Sequence, residues 1–221
     1  MPLDKRSGRI HLALIEGAHP FDVPGWHALF RSYDFLDYYP QALDNWLADW
    51  GGCRDDYDVA LFYNMNMDGP ETPLAQAAGQ ALHQFSMVGG GLLILHHALL
   101  SFPESDFMNA VTGMSDRSFG YDPDQDLRVA IANPDHPITE GVDAFALHDE
   151  TYKMADARAA DGNEVLFTTR CEKSMGTLGW TRELNKSRVF CLQPGHDNRV
   201  WTVPEFRLLL GQALQWLARR R

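Results

Sequence analysis

A chain of 221 residues, 45% hydrophobic and 22% charged, is long enough for one large α/β domain and short for two. Its formal net charge of −11 offers no attraction to phosphate backbones or anionic lipid, so neither nucleic acid nor a membrane surface is expected as a partner. Three widely spaced cysteines (Cys53, Cys171, Cys191) suggest neither a disulfide framework nor a thiolate metal site.

The polar start, residues 1–8, reads as a flexible tail. The apolar run behind it, Leu12 to Ile15, is too short for a signal-peptide core, and no segment approaches membrane-spanning length. Cytoplasmic location is therefore the expectation. Ile10 to Glu16 is a first strand, and Gly17-Ala18-His19-Pro20 is the loop at its carboxyl end. Helical spacing from Trp26 onward, broken at Pro40, predicts one helix before the proline and a second from Gln41 to Trp50. The aromatics from Tyr33 to Tyr39 are free to stack on sugar faces or to bury in a homo-oligomer contact. Asp58 to Tyr63 is a second strand. Leu74 to Val88 is a helix that stops at a glycine cap.

Gly89-Gly90-Gly91-Leu92-Leu93-Ile94-Leu95-His96-His97 organises the chain. A short apolar run bounded by glycines is the pattern of a strand buried on both faces, and the polarity switches abruptly at His96. Phe102 to Met114 reads as a short helix or irregular segment, and Ser115 to Asp126 as an exposed loop. Leu127 to Ala132 reads as an edge strand. Leu147 to Tyr152 is extended, with His148 and Glu150 on one side and Asp149 on the other. Val165 to Thr169, Gly176 to Trp180 and Arg188 to Leu192 are further strands, two of them expected as antiparallel additions. Pro204 to Leu217 is the closing amphipathic helix. The result is a three-layer, doubly wound α/β domain with a mostly parallel sheet, spanning 1–221 without repeats or linkers.

In such sheets ligands bind beyond the carboxyl ends of the strands, where the loops carrying His19, His96 and His196 all open. His96, His196 and Glu150 are the candidate catalytic groups, for acid–base work or as ligands to a divalent metal such as zinc. His19, His148, Asp197 and Tyr152 are the candidate substrate-binding groups, with Asp197 able to orient His196 or to cap a helix. His97, one residue on from His96, should point to the opposite face of an extended chain and is read as structural. His136 is read as a local turn residue, and His11, His27 and His83 as packing or surface residues. The chain has no Gly-x-Ser-x-Gly elbow, no P-loop and no Gly-x-Gly-x-x-Gly.

Four segments together resemble the ThuA-like (trehalose utilisation) family, whose fold is similar to class I glutamine amidotransferases and flavodoxin-like sheets. They are Gly89 to His96, Asp135-His136-Pro137-Ile138-Thr139-Glu140-Gly141, Asp149-Glu150-Thr151-Tyr152, and Arg188 through Gly195-His196-Asp197. The resemblance puts His96 where the amidotransferases carry their nucleophilic cysteine and His196 at their late histidine. It implies a role in sugar metabolism without glutaminase activity, since imidazole does not form the thiolate's acyl intermediate. The readings left open are an enzyme acting on a carbohydrate or keto-sugar, a noncatalytic sugar-binding module, and a metal-dependent hydrolase.

Overall fold

A computed structural model describes residues 8–221, so all but the last residue of the expected tail lies outside the described part. Nine strands form one sheet in the order β2-β1-β3-β4-β9-β8-β7-β5-β6. They are β1 (Ile10–Glu16), β2 (Leu36–Ala42), β3 (Val59–Phe62), β4 (Gly91–Leu95), β5 (Gly120–Ile131), β6 (Phe145–Lys153), β7 (Glu164–Thr168), β8 (Thr177–Leu184) and β9 (Ser187–Leu192). The first five in spatial order, β2 to β9, pair in parallel; β8, β7, β5 and β6 continue the sheet antiparallel.

Alternation along the parallel strands builds two cores. Leu12 and Leu14 of β1 and Leu93 and Leu95 of β4 face a layer made by α1 (Val23–Arg31), α5 (Asn198–Trp201) and α6 (Pro204–Leu217). Ala13, Ile15, Leu92 and Ile94 face α2 (Leu43–Ala48), α3 (Pro73–Val88) and α4 (Asp106–Thr112). Helices on both faces explain why β3 and β4 are apolar at every position. At about 25 cal/mol per Å² of buried apolar surface, each leucine of β4 contributes roughly 2 kcal/mol to holding the layers together. Gly90 and Gly91 lead into β4 because there is no room for a side chain: a Cβ would meet the Phe85 ring at the first and Leu217 at the second.

Three sequence expectations change. The helix foreseen up to Pro40 ends at Arg31, and residues 36–42 form β2, paired in parallel with β1. Pro40 fits there because β2 is an edge strand, where a missing N–H costs no ladder bond. The helix after it is shorter than foreseen, at Leu43–Ala48. The polar stretch expected as an exposed loop, 115–126, is from Gly120 on part of the long strand β5, and the true edge is β6. Its charged residues are no obstacle, since both faces of this half of β5 meet solvent. His136 does make a local turn, its Nδ1 accepting the Ile138 N–H at 3.1 Å. Tyr33 is occupied within the fold, donating its hydroxyl to the Arg207 carbonyl at 2.8 Å.

Candidate active site

The loops after β1, β4 and β9 converge, and the outer half of the β5–β6 hairpin is laid against them past an irregularity between Asp122 and Gln125. His96 follows β4 with φ at 50°, a left-handed conformation that costs a residue with a Cβ about 1–2 kcal/mol. That turn changes the expected alternation. Instead of pointing to opposite faces, the His96 and His97 rings lie 4.3 Å apart between centroids, and both face the same pocket. His97, read from the sequence as structural, therefore belongs to the site. The only sequence signal for it is the polarity switch after Leu95.

His196 sits 5.4 Å from both His96 and His97, and His19 stacks on His97 at 3.8 Å and approaches His196 at 5.9 Å. Four imidazoles from three loops thus share one pocket. Gly195 makes the last approach: it has φ of 148°, and a Cβ there would press on Leu95. The His196 carbonyl accepts the Tyr63 hydroxyl at 2.8 Å, and the Trp201 indole donates to the Gly195 carbonyl at 2.8 Å.

Asp149 clamps this loop to β6. It is fully buried, and its carboxylate accepts the backbone N–H groups of Gly195 at 2.8 Å, His196 at 3.2 Å and Glu150 at 2.9 Å. Burial pushes the carboxyl up to about 8, while the three donors pull it down. Next to it, Glu150 is only partly buried and holds its carboxylate 3.8 Å from His96 Nε2. Tyr152, one turn of the pleat further on, places its hydroxyl 2.8 Å from His96 Nε2 and 2.9 Å from His97 Nδ1.

His96, the expected centre, is 0% exposed and has both ring nitrogens occupied, Nδ1 donating to the Gln193 carbonyl at 2.6 Å. It shapes the pocket from behind. Burial lowers its pKa to about 3, and also lowers those of His97 and His19, so these rings are neutral at ordinary pH. The mouth is formed by His19, Glu150 and His196, all partly exposed.

Two expected binding residues make no hydrogen bond to the four imidazoles. His148 faces outward, with Nδ1 2.8 Å from Asp126 and Nε2 3.6 Å from Asp124. Asp197 lies 3.9 Å from His196 Nδ1, too far for a hydrogen bond, and instead caps α5 by accepting the Arg199 N–H. Arg199 bridges Asp197 and Asp124 at 2.8 Å and 2.6 Å, joining the His148 cluster to the rim.

One supporting residue has no sequence signal. Arg117 is 2% exposed and donates to the carbonyls of Leu99 at 3.0 Å, Ser101 at 2.8 Å and Phe102, and to Asn109 at 2.9 Å. It fastens the segment immediately behind His96 and His97. Cys191 is fully buried inside β9 and its thiol is pushed up by burial, so it offers no nucleophile to the pocket. A surface hollow of about 220 Å³ between Asp58, Gly89 and Leu217 opens at the amino ends of β3 and β4 and contains none of the four histidines. No helix among the described residues is long and apolar enough to cross a membrane.

Comparison with known proteins points the same way as the fold. The family model described as ThuA, trehalose utilisation, matches residues 54–217. Among solved structures, one described as ThuA-like from Parabacteroides merdae superposes with a TM-score of 0.76 at 16% identity, over 96% of this chain and 91% of that one. A cytoplasmic protein from Salmonella typhimurium LT2 matches with a TM-score of 0.67 at 14% identity, over 94% and 99% of the two chains. One described as a GMP synthase protein from Thermoplasma acidophilum matches with a TM-score of 0.59 at 11% identity, over 96% of each. At these identities the likeness shows the amidotransferase-like fold. No curated protein matches the sequence.

Proposed function

From a chain that belongs to the ThuA (trehalose utilisation) family, we infer an enzyme that moves a proton on a carbohydrate or its keto derivative in the pocket beyond β1, β4 and β9. The observation that carries this reading is the placement of Glu150, a partly exposed carboxylate, against a wall of four imidazoles built on rigid strand ends. Glu150 is the group that takes up and returns the proton, a step worth about 10²–10⁴ in rate. The wall of His19, His97 and His196 receives substrate oxygens. Tyr152 and His96 are positioning residues that lock the wall from behind, and Asp149 holds Glu150 and His196 in register. A cytoplasmic setting agrees with the neighbour from Salmonella being described as cytoplasmic.

The test is turnover of trehalose, related disaccharides and their keto derivatives by the purified protein. At least one should be converted, and Glu150→Gln should slow that conversion at least a hundredfold while leaving the unfolding transition in place. Equal rates in the variant would remove Glu150 from the chemistry. Saturable binding of these sugars without product would favour a noncatalytic binding module.

A further inference from the structure

We propose that His19, His97 and His196 together bind one divalent transition-metal cation of the zinc class, each through one ring nitrogen. The three residues offer ligand atoms that all lie within 4.8 Å of one another. They come from the loops after β1, β4 and β9, so the strand ends fix their spacing.

The protonation of His97 follows from its neighbours. The Gln193 carbonyl can only accept, so His96 carries its proton on Nδ1 and presents a lone pair at Nε2. The Tyr152 hydroxyl lies between that lone pair and His97 Nδ1, with the Glu150 carboxylate beside His96 Nε2. It has one proton, and both His96 Nε2 and Glu150 are acceptors. Its oxygen must therefore accept the His97 Nδ1–H. His97 Nε2 is left as a bare lone pair on a residue 1% exposed, with no hydrogen-bond partner among the described residues.

The other two rings also carry an unpartnered nitrogen: His19 and His196 each keep a buried Nδ1 with no hydrogen-bond partner among the described residues. A sugar hydroxyl has one proton to give and can satisfy one of these nitrogens. A cation satisfies three at once. Neutral imidazoles select zinc and its neighbours over magnesium or calcium, and three of them leave a coordination place for water or a substrate oxygen. The supporting contacts fit a ligand shell in part: Tyr152 stands behind the ring of His97 on the nitrogen that would not ligate, and Asp149 and Tyr63 fix the backbone that carries His196. The trio expected from the sequence, His96 with His196 and Glu150, is also close, but His96 has no free nitrogen to give.

This site deepens the reading of the pocket given above, yet it holds whether or not the pocket converts a sugar. Protein stripped with EDTA is titrated with Zn²⁺ by calorimetry and with Co²⁺ by visible absorption. One site per chain is expected, with a cobalt band. His19→Ala, on the partly exposed loop, should weaken Zn²⁺ binding at least tenfold with the circular dichroism unchanged; His196→Ala is the second variant. His148→Ala should leave binding as it is. The proposal is overturned by absence of saturable one-to-one binding, or by His19→Ala and His196→Ala binding like wild type. It is equally overturned if Glu150→Gln abolishes binding while His19→Ala keeps it. Turnover scored separately in EDTA tells a failure of this site from a failure of the enzymatic reading.

Discussion

Replacing Tyr152 with phenylalanine tests the logic of the pocket with a single oxygen. The hydroxyl is the shared partner of His96 Nε2 at 2.8 Å and His97 Nδ1 at 2.9 Å, in a region from which water is excluded. Its removal leaves one lone pair and one N–H unpaired. A buried polar group without a partner costs about 1–3 kcal/mol, so two come to roughly 2–4 kcal/mol after some local relaxation. With an m-value near 2 kcal/mol per M, Tyr152→Phe should lower the urea midpoint by about 1–2 M. Tryptophan fluorescence reports the transition, and imidazole ¹⁵N spectra of the wild type report the tautomers. A variant within about 0.5 kcal/mol of wild type would refute the reasoning, since that is the ordinary scatter of a neutral substitution. A wild-type spectrum with the His97 proton on Nε2 would do the same.

Two further predictions concern the frame around these rings. Asp149→Asn puts an amide where three backbone N–H groups converge, so at least one loses its acceptor. A loss of about 1–3 kcal/mol is expected, with faster amide exchange at Gly195 and His196 as its local signature; unchanged exchange would argue against the clamp. Acid stability has a definite sign. His96 is held at about 3 against 6.5 in the unfolded chain, and His97 and His19 are lowered too, so below pH 6.5 the unfolded chain takes up protons that the folded chain refuses. Asp149, pushed up by burial against the pull of its three N–H donors, offsets part of this uptake. The net uptake predicts that unfolding free energy, measured in EDTA, falls as the pH is lowered from about 6 to 4.5, by roughly 1.4 kcal/mol per pH unit for each proton taken up. A flat profile there would mean the buried rings are charged in the native state.

The elements that can be read from the sequence are those whose burial is simplest. β1, β3, β4 and β9 are short apolar runs because both faces are covered, and the residues after them sit at strand ends by topology alone. That makes the meeting of His19, His96 and His196 foreseeable. β2 is hidden because tyrosines and a proline at an edge resemble a broken helix. β5 is hidden because its outer half leaves the core and loses its apolar face. His97 escapes because alternation assumes an extended backbone, and the left-handed turn at His96 is imposed by tertiary packing. Arg117 carries no local pattern at all: its carbonyl partners lie 15 to 18 residues away, and only the folded chain brings them within reach. Period-two alternation places Asp149 on the correct side of its strand, though nothing in the sequence tells of its three backbone donors.

The strand order has a consequence for how the protein comes into being. β9 enters the sheet between β4 and β8, with Leu93 opposite Phe190, nearly a hundred residues later in synthesis. Until that strand emerges from the ribosome, β4 has an open flank and His97 has no His196 to face. A nascent chain halted before residue 187 should accordingly hold its first half as a sticky, ligand-blind intermediate, and competence should arrive in one late event. Loop closure over that distance is slow compared with helix formation, so the same insertion is expected to set the pace of refolding.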